Sequence, residues 1–182
     1  MPPLSRRRFL ELAGAGTAGL VAAGWWRSSA AAQLPPRGNL RLALISDLNS
    51  SYGSTSYVPQ VQRGVQLLAA LQPDLVLCGG DMVAGQKLGL GSAQLDAMWA
   101  SFAAQVLDPV RRGGARFAPT MGNHDASSSG GPGGFTFALD RERAARFWTA
   151  RRSSLGLDFA EASRFPFRYS FRQGPLFAVV LD

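Results

Sequence analysis

Arg116-Phe117-Ala118-Pro119-Thr120-Met121-Gly122-Asn123-His124-Asp125 sets a short, mostly apolar run directly against a polar turn. A run of this length without helical spacing is expected to be a buried strand, with the glycine after it turning the chain out of the sheet. The same order of residues occurs twice upstream. Leu40-Arg41-Leu42-Ala43-Leu44-Ile45 stops at Ser46-Asp47, and Asp74-Leu75-Val76-Leu77-Cys78 runs into Gly79-Gly80-Asp81. Helical spacing fills the intervals. Val58, Val61, Val65 and Leu68 share one face of a helix that Pro73 ends. Ser92 is placed to cap a longer helix through Leu95, Met98, Trp99, Phe102 and Val106, closed by Arg111-Arg112-Gly113-Gly114. The order β-α-β-α-β predicts an α/β fold with a largely parallel sheet covered by helices.

Downstream, residues 127–134 are only Ser, Gly and Pro and read as a flexible loop. Residues 139–152 read as a surface helix whose arginines (Arg141, Arg143, Arg146, Arg151 and Arg152) form a basic face, able to meet phosphate but expected to be solvated. Tyr169-Ser170-Phe171-Arg172 alternates as a half-buried strand does, Gln173-Gly174-Pro175 turns, and residues 176–181 form a further buried strand before Asp182, which is expected to be structural. Cys78 reads as core, and so do Met98, Trp99 and Phe102. No repeat of fixed period is present.

The chain has 182 residues, 46% hydrophobic and 17% charged, the composition of one globular domain with a real core. Its net charge is +7, but residues 1–32 hold four arginines against one glutamate, which leaves +4 on the remainder. That balance is too mild for a nucleic-acid footprint. A single cysteine excludes an internal disulfide.

Ser5-Arg6-Arg7-Arg8-Phe9-Leu10 is a twin-arginine pattern. The apolar stretch after it is too short and too rich in Ala and Gly for a comfortable membrane span, so no stable membrane partner is indicated. Ala30-Ala31-Ala32 supplies the small residues a signal peptidase needs. Residues 1–32 are therefore expected to be a signal peptide read by the twin-arginine export machinery. Residues 33–39 are expected to be a linker, residues 40–182 the folded domain, and the periplasm or the cell exterior its destination.

In open α/β sheets, ligands sit beyond the carboxyl ends of the strands. Asp47, Asp81 and Asn123-His124-Asp125 all fall on those ends. Carboxylates converging without basic partners repel each other, and a divalent cation removes that cost. Asn123 offers a neutral hard oxygen. His124 is placed to donate a proton to a leaving oxygen, and Asp125 to hold its imidazole in orientation. Cations on such a platform clamp a phosphoryl group and activate water. Tyr52, close by in sequence, is expected to pack rather than to touch substrate.

Asp47-Leu48-Asn49, Gly80-Asp81 and Gly122-Asn123-His124-Asp125, in that order, resemble the calcineurin-like metallophosphoesterase superfamily. The steps of 34 residues from Asp47 to Asp81 and 42 from Asp81 to Asn123 leave room for one helical crossover each. The resemblance implies an α-β-β-α sandwich of two packed sheets and two divalent metal ions, drawn from manganese, iron, zinc or magnesium. Asp47 would bind one, Asp81 would bridge both, and Asn123 would bind the second, while His124 assists the leaving group. The implied activity is metal-dependent hydrolysis of a phosphate mono- or diester. Asn49 stands where the family usually has His, as in a bacterial branch that carries Asn, and is a metal-ligand candidate. His124 is the only histidine, so the family's later lone His and Gly-His-x-His are absent. The chain is thus expected to be the N-terminal part of an enzyme. The alternative is an inactive metal- or phosphate-binding remnant.

Overall fold

A computed structural model of the chain describes residues 36–182. The signal peptide assigned to residues 1–32 and the first part of the linker lie outside the described residues. Residues 36–41 carry no regular structure, and Arg37 pairs with Asp74 beneath them.

Three parallel strands, β1 (Leu42–Ile45), β2 (Leu75–Cys78) and β3 (Arg116–Pro119), form one sheet in the order β1-β2-β3. Leu42 lies opposite Leu75, and Leu75 opposite Arg116. The middle strand is apolar at every position because both of its faces are covered. Val76 and Cys78 point into a core built with the helices, while Leu75 and Leu77 point into a second core on the other side. Burial pushes the Cys78 thiol up to about 12, so it behaves as a small apolar residue.

The helices lie on one side of this sheet. Helix α1 (Pro59–Leu71) opens with proline, where the missing N–H costs nothing, and closes at Gln72, which takes the left-handed conformation with φ 47° before Pro73. Helix α2 (Ser92–Phe102) begins one residue earlier than expected, with Gly91 rather than Ser92 at the cap. It runs on through a π-turn (Ala103–Leu107) into α3 (Asp108–Arg112), so the expected long helix is three conjoined pieces. After β3 come a single turn, α4 (Asn123–Ala126), and, within the loop expected over residues 127–134, a minimal hairpin, β4 (Gly130–Gly131) with β5 (Gly134–Phe135). Helix α5 (Ala138–Arg151) then packs on α2. Trp99 stacks on Phe147 at 4.7 Å, and Phe117 of β3 stacks on Trp148 at 5.8 Å. These rings join α2, α5 and the sheet in one aromatic core.

The second sheet is antiparallel, β6 (Asp158–Arg164), β7 (Arg168–Gln173) and β8 (Leu176–Val180), in that order. Strand β6 was not anticipated, because Asp158-Phe159-Ala160-Glu161-Ala162-Ser163-Arg164 is polar at most positions and its register with β7 is shifted twice. Tyr169, Phe171 and Val180 pack against Leu75 and Ala118 of the first sheet. Helix, sheet and sheet thus form three layers of the α-β-β-α sandwich. On the outer face of the second sheet Phe177 and Val179 are exposed, and no helix among the described residues covers them. No helix among the described residues is long and apolar enough to cross a membrane.

Among the described residues, one polar bond joins a strand of the first sheet to a strand of the second. The buried Tyr169 hydroxyl donates to the Pro119 carbonyl at 2.7 Å, at the carboxyl end of β3. Removing it in Tyr169→Phe leaves that carbonyl without this donor and is expected to cost about 1–2 kcal/mol. Urea unfolding measures this; an unchanged midpoint would show that apolar packing alone holds the two sheets together.

Candidate functional site

Where the three parallel strands end, their backbones are stitched to one another. The Asp47 N–H donates to the Gly80 carbonyl at 3.1 Å, and Leu48 and Asn49 both donate to the Asp81 carbonyl, at 2.9 and 3.0 Å. Asp47 and Asp81 themselves take left-handed backbone conformations, with φ of 55° and 53°. This region is uncommon for residues with a side chain, and such departures gather at functional positions. Gly80, with φ 108°, makes a close backbone approach. A Cβ there would stand 2.6 Å from the Gly122 nitrogen. A Cβ on Gly122 would in turn run into the Asp81 carboxylate. The two glycines therefore permit the ends of β2 and β3 to meet.

That contact brings Asp81 to the turn after β3, where its Oδ1 accepts the His124 N–H at 3.0 Å. Asp47 Oδ2 accepts the neighbouring Ser46 hydroxyl. Asp47 Oδ1 and Asp81 Oδ2 have no hydrogen-bond donor among the described residues. The Asn123 amide nitrogen donates to Gln86 Oε1 at 2.8 Å, which leaves its carbonyl oxygen free. His124 Nδ1 lies 3.3 Å from the Gly85 carbonyl. A carbonyl only accepts, so Nδ1 carries the proton and Nε2 is left for other work. The Tyr52 ring lies 5.1 Å from the imidazole, tilted by 44°. Tyr52 is 54% exposed, so it rests on His124 rather than packing into the core as expected. Asn49 is half-buried and held at this edge by its backbone bond to Asp81.

Asp125 does something other than orient the imidazole. Only 1% exposed, it accepts from Met82 (2.8 Å) and Val83 (3.0 Å) through Oδ1 and from Gly122 (3.0 Å) through Oδ2. It is a brace between the segment after β2 and the turn after β3. Burial pushes its carboxyl up to about 7, against the backbone N–H groups that pull it down. The sequence pointed to the right residue but the wrong neighbour: in a single helical turn the third residue folds back on the backbone that opens it.

Other participants were not anticipated. Gln86, in the left-handed region at φ 62°, holds Asn123. Asp140 of α5 accepts the Gln86 N–H at 2.9 Å. Gly85 is pressed so closely between Asp140 and His124 that a side chain there would collide with both. No spacing signal marks Gln86 or Asp140, since their roles arise only when α5 folds back over the turn.

No group of three or more His, Cys, Asp or Glu among the described residues is arranged to hold a metal ion. What the strand ends offer is two carboxylates with unoccupied oxygens and a free amide oxygen. This all-oxygen set suits a hard divalent cation such as magnesium or manganese better than zinc. Residues 40–172 match the family model described as calcineurin-like phosphoesterase. No curated protein matches the chain.

The bracing role of Asp125 makes a definite prediction. Asp125→Asn puts an NH₂ group where the carboxylate accepts a backbone N–H, and is expected to cost about 1–3 kcal/mol. Chemical denaturation of the metal-free protein reads this directly. Unaltered stability, with a changed pH dependence of activity instead, would return Asp125 to a role at the imidazole.

Proposed function

This chain belongs to the calcineurin-like phosphoesterase family, and we propose that it hydrolyses phosphate mono- or diesters with divalent metal ions held at the carboxyl ends of β1–β3. The observation that carries the reading is the pair of carboxylate oxygens, Asp47 Oδ1 and Asp81 Oδ2, left without donors at one edge beside the free amide oxygen of Asn123. Asp47, Asp81 and Asn123 would hold the cations, with Asn49 adding a further neutral oxygen. When bound, the cations supply the positive charge that draws in phosphoryl oxygens and acidifies the attacking water.

The chain's own residues do the rest. With Nδ1 held by the Gly85 carbonyl, His124 presents Nε2, which in the imidazolium form donates a proton to the departing oxygen. Tyr52 against one face of the ring restricts its rotation. Gln86 keeps the Asn123 carbonyl oxygen turned away from its own amide and available.

A second reading rests on the same oxygen-only donor set. Few weak ligands without histidine hold metal loosely, and the protein would then be a metal- or phosphate-binding remnant without turnover. Hydrolysis of 4-nitrophenyl phosphate and bis(4-nitrophenyl) phosphate with added manganese separates the two. The enzyme reading expects turnover that a chelator abolishes and that His124→Ala lowers about 100-fold or more. Turnover indifferent to Asp81→Asn would defeat it, and metal-linked stabilisation with no turnover would establish the remnant.

Export belongs to the same proposal. The twin-arginine pattern at Arg6-Arg7 would carry the folded domain, with its metal in place, to the periplasm or beyond. Replacing both arginines by lysine is expected to leave the protein in the cytoplasm; unchanged secretion, seen by cell fractionation, would point to another route.

A further inference from the structure

At the carboxyl edge of the sandwich a cavity of about 480 Å³ gathers three arginines against a single carboxylate. Its place follows from two contacts. The Tyr169 hydroxyl on Pro119 sets the start of β7 at the carboxyl end of β3. Arg141 Nη1 donates to the carbonyl of Ala126, two residues past His124, at 2.5 Å. The cavity therefore adjoins the turn that carries His124.

Its three cations are in different states. Arg141, expected on a solvated face, is nearly buried instead. Its guanidinium lies between the rings of Phe135 and Phe167, 4.4 and 4.2 Å from their centroids, and pairs with Asp182 at 2.7 Å. That uses up the one carboxylate in the wall. Arg164 and Arg168 face each other directly across the β6–β7 pair, and neither guanidinium has a hydrogen-bond or ion-pair partner among the described residues. Glu161, on the same strand as Arg164, is bonded to the Ser163 N–H at 2.7 Å and interacts with Arg164 only weakly. Like charges set opposite one another on a ladder destabilise it. An unpaired arginine couple in the wall of a cavity, beside an aromatic floor and a third guanidinium, is a poor device for folding. It suits the recognition of an oxyanion, whose paired oxygens a guanidinium fork can hold bidentately.

We propose that this cavity is an anion subsite. It takes an oxyanion (phosphate, phosphonate or carboxylate) attached to an apolar or planar group that rests against Phe135 and Phe167. Taken together with the phosphoesterase reading, on which this part of the inference depends, the subsite selects phosphoesters whose leaving group carries a negative charge of its own.

Phenylphosphonate is the probe, because it joins an oxyanion to a ring and cannot be hydrolysed. Calorimetric titration of the full chain, stripped of metal and then dialysed free of chelator, is expected to show saturable binding. The double variant Arg164→Gln/Arg168→Gln should weaken it about tenfold, while Asp81→Asn leaves it unchanged. Both arginines are exposed, and removing their repulsion is expected to leave Tm equal or higher, so loss of binding will not reflect loss of fold. Absence of saturable binding, or wild-type affinity in the double variant, overturns the subsite. Binding lost in Asp81→Asn but kept in the double variant also overturns it, by assigning the probe to the strand-end site. None of these arms requires turnover, so an inactive protein would leave the subsite standing while removing the hydrolase. If turnover is found, the double variant should raise KM for substrates with a charged leaving group, with kcat unchanged and KM for uncharged ones unaffected.

Discussion

The approach of Gly80 to Gly122 is the contact on which the site depends. Two backbones meet there at a distance that no β-carbon allows. Because they meet, Asp81 reaches the His124 N–H, and Asp125 reaches forward to Met82 and Val83 while closing its own turn at Gly122. The bonds run in both directions between the same two loops. Each loop is fixed by a carboxylate from the other, and neither needs a long helix or a disulfide to hold its shape. The stiffness this implies matters for function, since charged groups held in place at a reaction site need not reorganise when charge develops.

The carboxylates at this edge show how environment divides one residue type into separate tasks. Asp125 is fully bonded and buried, and its charge is offset by three backbone dipoles rather than by a cation. Asp47 and Asp81 each give one oxygen to a single donor and keep the other free. Full satisfaction marks structure, and half satisfaction at an accessible edge marks a place for a ligand. The arginines of the chain divide along the same line. Arg141 is stacked, bonded and paired, while Arg164 and Arg168 stand opposed without partners.

How much of this was legible beforehand depended on whether the signal was local. The three apolar runs ending in Asp47, Asp81 and Gly122-Asn123-His124-Asp125 foretold the parallel sheet, because buried strands and their terminal turns are written in consecutive residues. Strands β7 and β8 were visible for the same reason. Strand β6 was not, since its partners rather than its own pattern hold it in the sheet. Within the site, Asp47, Asp81, Asn123 and His124 were named from their place at strand ends. Gln86, Asp140 and Tyr52 were missed or misread, because their contacts join segments 37, 54 and about 70 residues distant in the chain. Arg141 was misread most fully. On a helical projection it belongs with the solvated arginines, and only the return of Phe135 and Phe167 around it makes it a buried one.

That last residue ties the two halves of the edge together. Arg141 rises from α5, bonds the end of the His124 turn, and is gripped by rings from the β4–β5 hairpin and the β6–β7 turn. A guanidinium so placed cannot move without disturbing both loops. The parallel sheet needs none of it to fold. What the second sheet adds, beyond its apolar face against Leu75 and Ala118, is a turn of unpaired positive charge carried to the edge where negative charge is otherwise concentrated.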